Sequence, residues 1–559
     1  MADTQGLTGG RRSEGLAAWL SWGDRGSVRG FRRLAARREL CLILVGLAAF
    51  LAPAIHAYFS SVPEPKVQDE FSYLLAADTF ARGRLTNPTH PHWRHFENLQ
   101  VFHRPTYMSK YPPGQGLALA LGRVLFGAPI HGVWLSSAAA VVAVCWMLQV
   151  WSGASWALVG AVVMILSLGV NDYWCQGYCG GMVAVMGSAL VIGGVRRVVL
   201  RPRVTASTLM GLGVVALAST RPFEGLAVTI PAIALLLIWS IRGRSPSRVR
   251  AILPGALVLL AGMACMGVYN RAVTGNSLLI PYSLYDSQYD NVPAFIFQPL
   301  RAPITPELPR MHEYQLECAN MIYDKSRDLV LQGYFITRQL SIVLGMCITP
   351  VLWVGLLMSP LVIRGKVWLV WAASIVGLTI LAQAISVWHL PHYVAPVVPV
   401  LYLFCVEGLR ALRTLRGRGS RSMRLSARLV LAVFLFSWAY REFNDLVTMN
   451  ATARAVNFPM TRRRLIDYLA RVPGRHLVFI SYAPEYSVYE EWVYNSAEID
   501  EQAVVLAHDL GPDRNRELIA YYGDRHVWLV HVENGKVPMP IPVDCRWSSG
   551  DGRVPGHHT

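Results

Sequence analysis

The strongest constraint on the fold of this chain is a succession of apolar segments that are long enough to cross a bilayer. A transmembrane helix needs about 20 predominantly apolar residues, with a lower limit of roughly 17. Segments that approach or exceed this length occur at about 40–60, 131–151, 154–171, 180–196, 205–220, 224–241, 251–269, 340–362, 367–387, 394–411 and 427–443. Charged residues make up only 16% of the chain, whereas a soluble protein has about 25%. The sequence therefore predicts a polytopic α-helical membrane protein with about eleven transmembrane helices.

Lysine and arginine residues are concentrated beside the apolar segments, which accounts for the net charge of +17. The basic clusters lie in residues 1–38, 196–203, 241–250, 363–366 and 409–424. Cytoplasmic connections of membrane proteins are rich in these residues, and alternation across eleven spans places every cluster on one side. We therefore predict a multi-pass protein of the inner (cytoplasmic) membrane, with a cytoplasmic N-terminus and an extracytoplasmic C-terminus. The same distribution argues against nucleic acid as a partner.

The segments between the predicted spans define the domains. We expect a cytoplasmic basic tail at 1–38, a transmembrane domain at 39–444 with external loops at 61–113 and 270–339, and a small extracytoplasmic α/β domain at 445–559. Short apolar runs that are rich in valine predict buried strands in the last domain. These strands are HLVFI (476–480), AVVLA (503–507) and HVWLV (526–530), with a helix near 513–522.

The first external loop begins with two carboxylates, Asp69 and Glu70, just beyond the first span. The stretch FSYLLAADTFARGR that follows predicts an amphipathic helix resting on the membrane surface. Its apolar face carries Tyr73, Ala77 and Phe80, and its polar face carries Ser72, Thr79 and Arg82. A carboxylate at the bilayer boundary is suited to act as a general base, whereas Asp is equally a favoured helix cap. From the sequence alone both roles stay open for Asp69.

Several side chains that can bind a metal ion follow in the same loop. They are His90, His92, His95, Glu97 and His103. Imidazole and carboxylate groups are zinc ligands, but this spacing fits no standard zinc pattern, and hydrogen-bonded histidines are the alternative. The sequence therefore leaves open whether a divalent metal ion is a cofactor. In a later external loop, Cys175 and Cys179 could form a disulfide or remain free thiols.

Lys110 precedes a Tyr-Pro-Pro-Gly sequence that leads into a short apolar stretch at 114–127. This stretch predicts an interfacial or re-entrant helix, because about 14 residues do not cross a bilayer. A lysine at the headgroup level can neutralise a phosphate, or it can simply extend its charged end to the interface. Two consecutive prolines make the approach to the membrane rigid and non-helical, which favours a functional role.

Further polar groups lie at the predicted external ends of other spans. Asp172, Glu224 and His389 are candidates for binding a substrate or a metal ion. Arg221 is the most informative residue, because the apolar segments on either side hold it close to the hydrocarbon region. A charged group there needs a partner, which is either Glu224, three residues further on, or a phosphate. Trp388, by contrast, is typical of the aromatic belt at a membrane interface.

The order of these motifs resembles that of a known superfamily. A cytoplasmic N-terminus and one span precede the Asp-Glu pair at 69–70, a Lys-x-Pro-Pro-Gly sequence at 110–114 and the sequence HYVAPVVP at 392–399. Together they resemble the GT-C superfamily of membrane glycosyltransferases, in particular the bacterial aminoarabinose transferase and protein O-mannosyltransferase group. The resemblance covers roughly residues 40–412 and implies a GT-C-like fold.

The resemblance also implies a reaction. A sugar moves from a polyprenyl-phosphate donor to a glycan, lipid or protein acceptor at the extracytoplasmic face, with inversion. By resemblance, Asp69 and Glu70 are the catalytic candidates, with Asp69 as the base or acceptor-binding aspartate and Glu70 as its neighbour. Lys110 then lies near the donor phosphate, and His392 and Tyr393 lie at the donor site. Arg221 is a further candidate for the phosphate.

The sequence departs from the family pattern in three places. The external loop WCQGYCGG (174–181) has no acid, the late motif begins with histidine rather than arginine, and Tyr111 separates Lys110 from the prolines. Two other classes of protein also fit a polytopic chain, namely a transporter or lipid flippase and a catalytically inactive scaffold. Transporters place binding groups near the bilayer midplane, where this sequence has few ionisable residues.

Overall fold

The computed structural model describes residues 28–171, 173–243, 245–302, 308–414, 420–455, 461–534, 536 and 538–543. Its helices are 28–36, Arg38–Phe59, Gln68–Ala81, Trp93–Phe96, Pro113–Phe126, Ile130–Trp151, Ala154–Leu168, Met182–Leu200, Val204–Ala218, Pro222–Gly243, Pro246–Thr274, Pro281–Tyr289, Pro309–Glu313, Tyr314–Ala319, Asn320–Arg327, Leu329–Cys347, Pro350–Leu352, Trp353–Leu357, Ser359–Ile363, Val367–Ile385, Pro391–Val397, Val398–Thr414, Ser420–Ala455, Arg462–Leu469 and Pro512–Tyr521. The strands are β1 (Val101–Phe102), β2 (Met108–Ser109), β3 (Arg475–Tyr482), β4 (Val504–His508), β5 (Arg525–Val532) and β6 (Ile541–Pro542).

The chain is a multi-pass membrane protein. In the described part, seven helices have the length and hydropathy of a membrane span: Arg38–Phe59, Ile130–Trp151, Met182–Leu200, Pro222–Gly243, Pro246–Thr274, Val367–Ile385 and Pro391–Arg413. Two other predicted spans are apolar helices of 15 residues, Ala154–Leu168 and Val204–Ala218. The last predicted span lies within the 36-residue helix Ser420–Ala455.

The predicted span at 340–362 is wrong in its limits and its continuity. Helix Leu329–Cys347 begins earlier, and the chain then continues through shorter helices to Ile363. The interruption falls before Pro350, which cannot donate a backbone hydrogen bond to a continuing helix. Because Gly355 packs against the backbone of Gly408 with no room for a Cβ atom, the second half lies close to helix Val398–Thr414.

The predicted surface position of the 68–81 helix is also wrong. Ser72 and Thr79, which were expected on a solvated face, are 0% exposed. The Ser72 hydroxyl donates to the carbonyl of Gln100 at 2.7 Å, and the Phe71 ring stacks on Tyr494 at 4.8 Å. The helix therefore lies between the first loop and the C-terminal domain, because both of its faces meet protein.

The C-terminal domain is the small α/β unit that the sequence predicts. Its sheet has the order β4-β3-β5-β6, with β3 parallel to both neighbours and β6 antiparallel to β5. All three predicted strands and the predicted helix are present, and the short edge strand β6 was not predicted. The domain contacts the first loop directly, since the Ala497 amide donates to Asp78 at 2.8 Å and the Tyr107 hydroxyl donates to the Asn495 carbonyl at 3.1 Å.

The apolar core lies between the long helices, and their outer faces remain apolar. Only 6% of the most apolar 18-residue stretch of helix Pro246–Thr274 is buried within the protein, as expected of a surface that contacts lipid. The segments 60–112, 275–302 and 386–391 gather at one end of this bundle, which we call the loop face. The predicted candidate residues of the first loop lie there, beside the C-terminal domain.

Candidate active site

A cavity of about 410 Å³ opens at the loop face and combines segments that are distant in the sequence. Its walls come from the end of the first loop, the turn before helix Pro222–Gly243, helix Pro281–Tyr289 and the segment before helix Pro391–Val397. Its polar and aromatic lining includes Lys110, Tyr111, Arg221, Glu224, Tyr282, Asp286, Arg301, Trp388 and Tyr393. Four residues singled out in the sequence, namely Lys110, Arg221, Glu224 and Tyr393, therefore meet in one cavity.

The Pro-Pro-Gly corner explains how two of these residues come together. The backbone amide of Gly114 donates to the carbonyl of Ser219 at 2.7 Å. A Cβ atom at position 114 would lie 2.8 Å from that carbonyl oxygen and 2.5 Å from a methyl carbon of Thr220. Only glycine permits this approach without displacing a neighbour. The contact joins the chain that follows Lys110 to the turn that carries Arg221.

Lys110 is buried at 5% exposure among aromatic rings. Its ammonium nitrogen lies 4.6 Å from the ring centroids of both Tyr282 and Tyr285, and 5.5 Å from that of Tyr111. Tyrosine rings attract a cation, but they do not neutralise it. Among the described residues, no carboxylate lies within salt-bridge distance of this ammonium group. Lys110 is therefore a buried positive charge at the wall of the cavity.

Arg221 is a second buried cation on the same cavity, at 9% exposure. Its guanidinium carbon lies 4.8 Å from the centroid of the Tyr393 ring. In the part of the chain that the structure describes, Arg221 forms no salt bridge, not even with Glu224 on the next turn. Arg221 also immediately precedes helix Pro222–Gly243, whose N-terminus carries a partial positive charge. The turn therefore presents an arginine and a helix N-terminus together.

The late motif divides between the cavity wall and the layer behind it. Tyr393 lines the cavity, whereas His392 is buried behind it with its Nδ1 hydrogen-bonded to the Tyr173 hydroxyl. The two rings are nearly parallel, with centroids 5.9 Å apart. His392 thus contacts the loop after the third predicted span, and its neighbour Tyr393 reaches the cavity.

Asp69 lies directly behind Tyr111. Its Oδ1 accepts a hydrogen bond from the Tyr111 hydroxyl, and Tyr111 itself lines the cavity. Asp69 is partly exposed, and it is not among the residues that line the cavity directly. The structure therefore brings the predicted catalytic aspartate to the edge of the site through one tyrosine.

Glu70 has a different environment from its neighbour. Its Oε2 accepts the backbone amide of Lys66 at 2.9 Å, and its Oε1 accepts that of Tyr178 at 3.1 Å. A carboxylate that accepts backbone amides at the start of a helix caps that helix. The contact to Tyr178 also attaches the helix to a second loop. These contacts hold the start of the helix, and the catalytic role of Glu70 stays a prediction.

The histidines of the first external loop have different partners in the structure. His90 Nε2 lies 3.0 Å from Asp500 of the C-terminal domain, while His103 is fully buried between the rings of Trp93 and Tyr107. Burial lowers the pKa of His103 to about 3 and that of His95 to about 4. Within the described ranges, no group of three or more His, Cys, Asp or Glu residues is placed to hold one metal ion.

The remaining candidates lie in varied places. His92 donates its backbone amide to His90, and the Glu97 carbonyl accepts a bond from His508. His389 pairs with the Gln383 carbonyl at 3.0 Å, outside the cavity. Asp172 lies outside the described residues. Cys175 and Cys179 are both buried, and neither forms a disulfide, so the structure takes the thiol alternative for this loop.

Comparison with known proteins adds a likeness over most of the chain. No family model and no curated protein matches the sequence. ArnT from Cupriavidus metallidurans, bound to undecaprenyl phosphate, is similar with a TM-score of 0.47 and 11% identity, over 88% of this chain and 92% of that chain. The oligosaccharyltransferase AglB from Archaeoglobus fulgidus, in complex with an inhibitory peptide and a dolichol-phosphate, is similar with a TM-score of 0.41 and 9% identity. The similarity covers 88% of this chain and 69% of that chain.

Sequence reasoning missed the contribution of the second long loop to the site. Tyr282 and Asp286 line the cavity from helix Pro281–Tyr289, and Arg301 lines it from the segment that follows. The signal was present in PYSLYDSQYD (281–290), where Tyr282 and Asp286 are four residues apart and so share one helix face. A proline at the first helical position also marks the start of this helix. From the sequence, this segment is predicted only as part of the external loop at 270–339.

Proposed function

We propose that this protein is an inverting glycosyltransferase that moves a sugar from a polyprenyl-phosphate donor to an acceptor. One observation supports this most directly: two buried cations, Lys110 and Arg221, face one cavity and form no salt bridge within the described part of the chain. Burying an unpaired charge costs several kcal/mol. An anionic ligand would offset that cost, and a phosphate suits both a lysine and an arginine.

We further propose that the loop face is extracytoplasmic. Successive helices run in opposite directions through the bundle. The basic connections between them therefore lie at the end opposite the loop face, and they are 196–203, 241–250, 363–366 and 409–424. Such connections are typical of the cytoplasmic side. In this orientation the N-terminus is cytoplasmic and the C-terminus is extracytoplasmic, and the cavity lies just above the outer leaflet.

A lipid-linked donor accounts for where the cavity lies. Met266 lines it from helix Pro246–Thr274, whose outer surface is apolar and almost entirely unburied. Phe223 and Phe295 add apolar surface, with their ring centroids 4.7 Å apart. A polyprenyl chain can therefore remain in hydrocarbon while its phosphate enters among Lys110 and Arg221.

The proposed reaction is a single displacement at the anomeric carbon. The acceptor oxygen forms a bond to that carbon as the bond from the carbon to the phosphate oxygen breaks, and the electron pair leaves with the phosphate. Negative charge thus grows on the phosphate, where Lys110 and Arg221 stabilise it. We assign the acceptor proton to Asp69 as general base, with Tyr111 orienting that carboxylate. No step of this reaction is assigned to a metal ion.

The experiment that tests the proposal is a transfer assay with purified, reconstituted protein. Wild-type protein, Lys110→Gln, Arg221→Gln and Asp69→Asn are incubated with undecaprenyl-phosphate-linked sugars and candidate acceptors, and released undecaprenyl phosphate is measured. Lys66→Gln is the matched control, because Lys66 lies in the same loop with an exposed side chain. We expect each of the three site variants to lose about 100-fold or more in kcat/KM, as for the removal of one charge-stabilising group. The control should retain its activity.

The same assay separates the proposal from the alternatives. A flippase or transporter would move the lipid between leaflets and release no undecaprenyl phosphate, and an inactive scaffold would do neither. Full transfer by Asp69→Asn would remove Asp69 from the role of base and leave the phosphate site standing. Full transfer by both cation variants would overturn the assigned phosphate site, and absence of transfer by the wild-type protein would overturn the proposed function itself.

A further inference from the structure

Helix Pro281–Tyr289 contributes a carboxylate that the proposed reaction does not use. Asp286 lines the cavity and is 5% exposed. Tyr282 stands one helical turn earlier and lines the same wall. An acid at this depth is uncommon in proteins unless it has a partner or a function.

The partners of Asp286 leave one of its oxygen atoms unused. Arg301 Nη2 lies 3.5 Å from Oδ2, and the Arg301 side chain is itself partly exposed, so this ion pair is weak. Oδ1 is buried and has no hydrogen-bond partner among the described residues. A buried carboxylate oxygen without a donor carries a desolvation cost that a ligand with a polar hydrogen would remove.

The position of Asp286 relative to Lys110 indicates which part of a donor it would meet. The Lys110 ammonium lies 4.6 Å from the ring centroids of Tyr282 and Tyr285, which stand on the same helix as Asp286. A phosphate held by Lys110 therefore lies beside this helix. The carboxylate repels phosphate oxygens, so it meets a different group. The sugar ring is the part of the donor that is bonded to the phosphate and carries hydrogen-bond donors.

We propose that Asp286 accepts a hydrogen bond from a hydroxyl or amino group on the sugar ring that is attached to the donor phosphate. This inference rests on the proposed function and adds the residue that selects the sugar. Sites that hydrogen-bond a substrate hydroxyl or amine reject analogues that lack it, because their polar groups would be left unpaired. Asp286 would therefore act on donor recognition, and Asp69 on the proton of the acceptor.

The charged and titratable groups that face Asp286 come from three segments. They are Lys110 of the first loop, Tyr282, Tyr285 and Asp290 of the same helix and its end, and Arg301 of the following segment. Burial raises the pKa of Asp286 to about 6, against the opposing effect of Lys110. Below that pH the carboxyl is neutral and accepts a hydrogen bond less strongly. KM for the donor should therefore rise as the pH falls through about 6.

The test compares Asp286→Asn with wild-type protein in steady-state transfer assays between about pH 5 and 8. Undecaprenyl-phosphate-linked sugars, each with single deoxy and amino analogues, serve as donors. At neutral pH we expect KM for the sugar donor to rise about 10- to 100-fold, the equivalent of one hydrogen bond to a charged group, with kcat changed far less. The rise of KM at low pH and the discrimination against one deoxy analogue should both disappear. Preference for the hydroxyl or the amino form then identifies the group that is bound.

Two controls separate recognition from a structural role. Asp290→Asn removes a similarly buried carboxylate that does not line the cavity and accepts the Val292 amide, so it should raise KM far less than Asp286→Asn does. Binding of undecaprenyl phosphate without a sugar should be no weaker in Asp286→Asn than in wild type. Asp286→Glu, with thermal unfolding of each variant, covers the case in which the amide variant does not fold.

The outcomes of these assays distinguish the role of Asp286 from the proposed glycosyltransferase activity. An unchanged KM in Asp286→Asn, an equal rise in Asp290→Asn, or weaker binding of the bare lipid phosphate would overturn the role of Asp286 and leave the glycosyltransferase proposal intact. Absence of sugar transfer by the wild-type protein would overturn both. A rise in KM that is confined to Asp286→Asn and to sugar-bearing lipids supports the inference.

Discussion

Replacement of Lys110 by methionine should separate the stability of this protein from its activity. Lys110 is 5% exposed and contacts three tyrosine rings at 4.6, 4.6 and 5.5 Å. Each ring contributes about 0.5–2 kcal/mol of cation–π attraction. Desolvation of an ammonium group opposes this by several kcal/mol, and methionine preserves most of the packing of the aliphatic chain. Since the two effects are of similar size, we expect the free energy of unfolding to change by less than about 2 kcal/mol.

The effect on the phosphate ligand should be much larger. Two unit charges about 4 Å apart interact by about 4 kcal/mol at an effective dielectric constant of about 20. Because about 1.4 kcal/mol is tenfold in an equilibrium constant, the loss corresponds to roughly 10³-fold weaker binding. Arg221 remains in the variant and recovers part of this, so we expect a decrease of 10²- to 10³-fold.

Two measurements on the reconstituted protein check this prediction. Thermal unfolding without ligand reports the stability of the variant, and titration with undecaprenyl phosphate reports its affinity. Undecaprenol, which lacks the phosphate, is the control ligand and should bind wild type and variant alike. If the variant unfolded at a much lower temperature but kept its affinity for undecaprenyl phosphate, Lys110 would be a structural residue of the tyrosine cluster and the proposed phosphate site would be wrong.

Three further perturbations follow from the same structure. Gly114→Ala should lower kcat/KM at least tenfold without changing any charge, because the new methyl group displaces the Ser219 turn by steric conflict. Steady-state kinetics test this prediction. Gly345→Ala is the control, because a Cβ atom at position 345 meets nothing within 4 Å. Glu70→Ala should destabilise the protein by about 0.5–2 kcal/mol, because one exposed and one partly buried backbone amide lose the carboxylate that caps the helix, and denaturation of the variant measures it. For His95 and His103, the folded pKa lies below the unfolded value, so the stability of the protein should fall as the pH drops below about 6.5. The expected loss is roughly 2 kcal/mol for each histidine at pH 5. His103→Phe should flatten the pH dependence of thermal unfolding, and an unchanged profile would contradict the assignment.

Local patterns in the sequence predict most of the long helices and three of the six strands of the described residues. The strands at 476–480, 503–507 and 526–530 were recognisable because a buried parallel sheet requires continuous apolar runs. The broken helix before Pro350 was harder to predict, since hydropathy averages over a break that a single proline introduces. The burial of Ser72 and Thr79 could not be predicted either, because a second domain, distant in the sequence, covers that face of the helix.

The residues of the candidate site were predictable from the sequence where their charge did not suit the segment that carries them. Lys110 before two prolines and Arg221 between short apolar runs conflict with their surroundings, and the structure places both on one cavity. Glu70 resembled a catalytic residue only through its neighbour, and its carboxylate accepts backbone amides instead. Asp286 was missed because a tyrosine-rich polar helix is unremarkable in sequence, and its significance depends on an unpartnered oxygen atom that only coordinates reveal.

The placement of Lys110 and Arg221 on one cavity, without a salt bridge among the described residues, favours a transferase over a carrier. A phosphate that joins a sugar to a polyprenyl chain is a diester with one negative charge, whereas the released monoester carries about 1.5 to 2 at neutral pH. Fixed cations in a poorly solvated cavity therefore interact more strongly with the leaving group than with the donor. Interactions that strengthen towards the transition state accelerate a reaction, whereas equally strong binding throughout does not. A carrier gains nothing from such a difference, since the lipid that it moves does not change its charge. The same two residues would slow its release by holding the phosphate, and so the arrangement suits bond cleavage at this cavity.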